Sequence, residues 1–233
     1  MPATASPCSS ATRAASSGIP DLGRRALFCL TLVSGLLAAC STTPPVANGM
    51  GSNPDGTVTT FHRKSSGSLG EFDGPVVWNQ KTIQWNGKTV VAVSAPQAGT
   101  TLHEPQTHAV LAVLGGDGKP VQTFEPPVVL PWPLEVGKTA TTQHKVTVHA
   151  SNRTVDLTVQ WKVESWGDVT VPAGTFKAYK VVNTNQLGET EIRWVSPDNR
   201  LSTVKRHVER TAAHPQGAGV LDAELLSVKL PGR

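Results

Sequence analysis

The segment Val155-Asp156-Leu157-Thr158-Val159-Gln160-Trp161-Lys162-Val163-Glu164 places an apolar side chain at every odd position and a polar one at every even position. Successive side chains of an extended strand point to opposite faces, so this spacing demands a strand with one buried and one wet side. One strand cannot bury that face alone, and the rest of the chain must supply its partners.

Turn signals show where those partners lie. "VVWNQKTIQWNGKTVVAVSAP" (76–96) sets two β-rich runs around Asn86-Gly87, the dipeptide that accepts the positive φ angles of a type I′ hairpin. "THAVLAVLGGDGKPVQTFEPP" repeats the arrangement around a Gly/Asp turn at 115–118. In "DVTVPAGTFKAYKVV" Pro172 suits the first corner of a turn, and Gly174 suits the left-handed position of a three-residue loop. "TVTTFHRK" (57–64), the pair around "SPDNR" and the closing "VLDAELLSVKL" add further strands. About ten strands joined by short turns, with almost no amphipathic helix, imply an all-β, mostly antiparallel domain. Its curved sheet would take the form of an open barrel, a half-barrel or a sandwich. The proline-rich "EPPVVLPWPLEVGK" (125–138) reads as the crossing between the two parts of the sheet, because prolines are excluded from a central strand.

A different pattern precedes the β region. Arg24 and Arg25 stand before the apolar run Ala26 to Ala39, which as a helix would extend about 21 Å against a hydrocarbon thickness of roughly 30 Å. It is too short to span comfortably, and basic residues before it with small residues closing it make the layout of a secretory signal. Leu37-Ala38-Ala39-Cys40 resembles the lipobox of bacterial lipoproteins at all four positions. That resemblance implies cleavage between Ala39 and Cys40, a diacylglyceryl group on the Cys40 sulfur, and an amino terminus acylated by a chain such as palmitate. Ser41 in place of an aspartate implies sorting to the outer membrane, facing the periplasm. The expected organisation is a signal peptide over 1–39, a lipidated cysteine and flexible tether over 40–56, and a single β domain over 57–233.

Processing changes what the chain has available for chemistry. Loss of Arg13, Arg24, Arg25 and Asp21 lowers the formal net charge from +4 to +2, a mild balance that gives no case for nucleic acid. Of Cys8, Cys29 and Cys40 only the last would remain, and it would be lipidated, so no disulfide, thiolate nucleophile or Cys-ligated metal is expected.

In the C-terminal half, "PWPLEVGKT", "VESWGDVTVPAGTFKAYKVV" and "WVSPDNRLSTVKR" are similar to segments of uncharacterised β-rich bacterial envelope proteins that carry a "VPAGTF" hairpin before a "W-x-SP" strand end. The resemblance spans roughly 128–210 and implies a periplasm-facing β domain without assigning any catalytic residue.

No motif supports catalysis. In "HEPQTH" the histidines His103 and His108 are five apart with Pro105 between them, whereas a zinc-protease helix needs a spacing of four, so a solvated loop or strand end is expected. His62, His144, His149, His207 and His214 are scattered along the chain, and no metal or other cofactor is expected. "GGDGK" lacks the first glycine and the final Ser or Thr of a phosphate loop, and no G-x-S-x-G elbow occurs. Asp222 and Glu224 share a strand face and read as solvated surface. "KRHVER" (205–210) reads as an exposed strand rather than an anion site.

Trp78, Trp85, Trp132, Trp161, Trp166 and Trp194 all fall in or beside the expected sheet. They would fill the core or line a concavity for an apolar ligand. The resulting expectation is a non-catalytic lipoprotein held to the membrane by its lipid. It would serve as an interaction or accessory module for an envelope protein, or alternatively as a carrier for a lipid or other apolar molecule.

Overall fold

The computed structural model describes residues 43–96 and 98–232. The run Ala26 to Ala39 and the cleavage and lipidation positions Ala39 and Cys40 lie outside them. Twelve strands follow one another: β1 (Val58–Gly67), β2 (Phe72–Trp85), β3 (Lys88–Ala95), β4 (Gly99–His103), β5 (Val110–Leu114), β6 (Pro120–Val128), β7 (Thr139–Val148), β8 (Arg153–Val171), β9 (Gly174–Asn185), β10 (Glu189–Ser196), β11 (Leu201–Arg210) and β12 (Gly219–Lys229). Each pairs with its neighbours in sequence, and β1 pairs with β12, which closes the sheet into an antiparallel barrel. The all-β antiparallel expectation is met. Of the ways a curved sheet can bury its face, this chain uses full closure, which removes the free edges that an open sheet must protect.

Local chemistry explains several joints. Asn86 (φ 49°) and Gly87 (φ 75°) both take the left-handed region and join β2 to β3 with Trp85 opposite Lys88, as the type I′ turn requires. The "VPAGTF" hairpin forms with a loop of two residues rather than three, because Val171 already pairs with Gly174. The proline-rich stretch divides: β6 runs on through Pro126 and Pro127 to Val128, with register irregularities against β5, and the link to β7 follows. Leu130 and Leu134 of that link are buried.

On β8 the odd positions Val159, Trp161 and Val163 are buried, as their spacing demands. They pack with Tyr179, Val181 and Val195 of β9 and β10 and with Leu130, Leu134 and Met50 into the largest apolar cluster. A bulge between Val163 and Ser165 then shifts the register. Beyond it, Val169, Val171, Ala173 and Phe176 of the β8–β9 hairpin end pack with Val204, Leu225 and Phe61, and the amide of Ala173 donates to the Leu225 carbonyl (3.0 Å).

The segment with tether-like composition is anchored to the barrel from Pro45 onward. The Tyr179 hydroxyl donates to the Pro45 carbonyl, and Ala47 and Leu134 exchange two backbone hydrogen bonds. Met50 is buried, and the Ser52 hydroxyl donates to the Pro105 carbonyl (2.6 Å). One buried methionine and a paired backbone stretch outweigh what the Gly, Pro and Asn content suggests.

Candidate functional site

Strand register determines which side chains share the barrel interior. Arg193 on β10 lies directly opposite Arg206 on β11, Arg206 opposite Ala223 on β12, and Ala223 opposite Arg63 on β1. These four residues form one row across four strands. Like charges placed opposite one another destabilise a sheet unless a counter-charge intervenes. Glu191, two residues before Arg193 and so on the same face, provides it.

A single Glu191 oxygen, Oε1, accepts from Nε (3.1 Å) and Nη2 (2.6 Å) of Arg193 and from Nε (2.6 Å) of Arg206, while Oε2 accepts from the Asn183 amide (3.1 Å). Burial alone would raise the pKa of this carboxyl, but the two guanidiniums and the hydrogen bonds from Arg193 and Asn183 hold it far below the usual carboxylate range. Arg63 has no carboxylate partner among the described residues. Its Nε donates to the Ser65 hydroxyl (3.2 Å) and its Nη2 to the Leu69 carbonyl (2.8 Å). Burial, and then the like charge of Arg206, lower its pKa.

These arginines border a cavity of about 420 Å³. Its lining includes Arg63, Arg193, Arg200 and Arg206 and, among the described residues, no aspartate or glutamate, since Glu191 sits behind the guanidiniums. Phe61, Val76, Trp78, Val93, Val110 and Val113 provide apolar wall. Along β1 and β2 the wall changes character in steps of two residues, from Arg63 beside Gly74, to Phe61 beside Val76, to Thr59 beside Trp78. The opposite wall, from β3 to β5, turns partly buried side chains inward and buried ones outward: Val93, Thr101 and Val113 face the cavity, while Ala92, Leu102 and Ala112, one position away, are buried outside it with Ile83 and Trp85.

His103 and His108, expected in a solvated loop or strand end, line this cavity. Nδ1 of His103 contacts the His108 carbonyl (3.2 Å), and Nε2 of His108 contacts the Ser52 hydroxyl (3.3 Å). Burial, opposed in part by that backbone contact and reinforced by the charges of His108 and Arg193, lowers the His103 pKa to about 4, so the ring is neutral at neutral pH. Among the described residues, no three His, Cys, Asp or Glu side chains converge as a metal-ligand set. His144 is buried between the Pro126 carbonyl and the Thr142 hydroxyl, and His62 and His207 pair with Asp73 and Asp222. Asp222 and Glu224 are surface groups, the latter paired with Lys205.

Two expectations need correction. The "KRHVER" strand is not simply exposed: Val208 is buried, Arg206 reaches Glu191, and Arg210 reaches Glu189 (2.6 Å) from the inner face. The alternation is visible in the sequence, but inward-facing arginines look like solvated ones until their carboxylate partners on β10 are known. The tryptophans, in turn, do not jointly line a concavity. Trp78 alone faces the cavity, Trp161 fills the core, Trp132 and Trp166 pack beside it, Trp85 joins the outer cluster of β3 to β5, and Trp194 lies between the ammonium groups of Lys180 and Lys205.

No family model matches the sequence, and no curated protein matches it. Among solved structures the chain is similar to a protein from Bacteroides fragilis described as exported and of YmcC-like fold (12% identity, TM-score 0.45, covering 78% of this chain and 100% of that one). A protein from Parabacteroides distasonis described as a lipoprotein gives 12% identity and a TM-score of 0.42, covering 78% of this chain and 99% of that one. The hypothetical lipoprotein YmcC from Escherichia coli gives 7% identity and a TM-score of 0.39, covering 73% and 83% respectively.

Proposed function

We propose that this chain is a lipid-anchored protein of the bacterial envelope whose barrel holds a small molecule in its interior. The observation that carries the reading is the cavity itself. A barrel can fill its interior with side chains, as this one does between β8 and β10, yet a void of about 420 Å³ remains beside β1, β2 and β11, within the size range of small-molecule sites. Its combination of apolar wall with a few converging polar groups also suits a ligand. Docking of a partner strand has less support, because every strand already has a neighbour on both sides and the exposed large apolar side chains Val46, Val77, Val121 and Val220 fall on different elements.

The anchor and address rest on sequence: the lipobox, the short apolar run before it, and Ser41 after it, which together support acylation of Cys40, release of residues 1–39 and an outer-membrane, periplasm-facing location. Native mass spectrometry of the protein expressed from the whole sequence and released gently from the membranes in which it was produced should show a bound small molecule on a protein mass that lacks residues 1–39 and carries acyl chains. A protein that is always empty, and that binds nothing when offered a panel of amphiphiles, refutes the cavity reading. Retention of residues 1–39 with an unmodified Cys40 refutes the anchor.

A further inference from the structure

Resting on the cavity reading, we infer that the site selects an oxyanion: Arg63, Arg193 and Arg206 hold a carboxylate, sulfonate or phosphate group, with an attached apolar body lying along Phe61, Val76 and Trp78. Three guanidiniums share one row of the inner face, and the only carboxylate bonded to that row among the described residues, Glu191, lies behind them with both oxygens engaged. Nη1 and Nη2 of Arg206, and Nη1 of Arg193 and of Arg63, have no protein partner among the described residues. The Arg206 side chain keeps 39% exposure, and all three arginines line the cavity.

Small Ala223 separates Arg206 from Arg63 in the row. Two strand spacings put their Cα atoms roughly 10 Å apart, within reach of one anion for two side chains of this length. Guanidinium donors bind planar or tetrahedral oxyanions through paired, charge-assisted hydrogen bonds, and an anion here would also offset the burial, and after it the Arg206 charge, that disfavour the charged form of Arg63. The two-residue steps along β1 and β2 place the apolar wall beside the charged row, which matches the polarity of an amphiphile.

The test uses the full-length protein in phosphatidylcholine nanodiscs, titrated calorimetrically with naphthalene-2-sulfonate, with its uncharged analogue naphthalene-2-sulfonamide, and with inorganic phosphate. Sulfonate should bind at least tenfold more tightly than sulfonamide. R63Q should remove most of that preference, and R63K should restore part of it. Phosphate binding as tightly as the sulfonate supports the anion site and assigns it to a free ion. Weak phosphate binding beside tight sulfonate binding assigns it to a charged amphiphile. Equal binding of sulfonate and sulfonamide overturns the oxyanion inference while the cavity reading stands, and this comparison needs only the unaltered protein. Absence of binding by all three probes overturns both.

Discussion

Two walls of the same barrel, built by the same alternating strands, have opposite interiors. From β8 to β10 the inward side chains Val159, Trp161, Val163, Tyr179, Val181 and Val195 meet Met50, Leu130 and Leu134 and leave almost no solvent contact. Across β1, β2 and β11 the inward positions carry Arg63, Trp78 and Arg206 around a void. Apolar side chains gain by closing on one another, whereas guanidiniums of like charge repel and keep their hydration, so one wall collapses and the other stays open. Charge placement on one wall thus helps to keep the cavity open.

The contrast can be broken at several points. Trp161→Ala should cost about 4 kcal/mol, because it removes a large side chain from the closed wall together with its hydrogen bond to the Thr142 hydroxyl (3.0 Å). The shift should appear as a lower urea midpoint, without change in the sulfonate-to-sulfonamide ratio. Glu191→Gln should cost about 3 kcal/mol at pH 7, since it strands Arg193 and Arg206 without a counter-charge, and added phosphate should recover part of the loss. In the unaltered protein the folded pKa of Glu191 lies below its unfolded value. The stability it provides is present above the ordinary carboxylate range and declines as the pH falls through and below that range, a decline Glu191→Gln should lack.

His103 sharpens the comparison through pH. Its folded pKa of about 4 lies below the unfolded value of about 6.5, so the unfolded chain takes up the proton first. Stability is complete above the unfolded value and is lost as the pH falls toward about 4, with roughly 2 kcal/mol gone by pH 5. Denaturation of His103→Asn at pH 7.5 and pH 5 should show a difference smaller by about that amount, the remainder coming from other groups, among them His108, whose pKa burial also lowers. The smallest stability effect is expected for Trp78→Ala, about 1 kcal/mol, because a side chain facing a void has no packing partner on that side. Naphthalene-2-sulfonate affinity should nevertheless fall. Comparable stability losses for Trp161→Ala and Trp78→Ala would show that the two walls are packed alike.

The strands of this barrel were more legible than its contents. Period-two spacing on β8 and the Asn86-Gly87 turn act locally, and the structure follows both. On β10 the same reasoning points the wrong way: Ile192 and Trp194 alternate with Glu191 and Arg193, so hydrophobicity alone would turn the charged residues outward, yet Glu191 is buried. What reverses the face is pairing with Arg206 on the next strand, which depends on the register across the "SPDNR" turn. The same register places three arginines in a row although they are separated by up to 143 positions. A basic residue facing a cavity has the same one-dimensional signature as one facing bulk water.

Eleven of the twelve pairings join consecutive strands, and only β1 with β12 brings together distant parts of the chain. A polypeptide emerging amino end first can zip hairpin after hairpin, but the entropy of the final ring closure falls on its last strand. Since Arg63 and Arg206 flank Ala223 of that strand, their shared row is complete only when the carboxyl end docks. A chain that lacks β12 would possess Arg63, Arg193 and Arg206 and yet not their shared row.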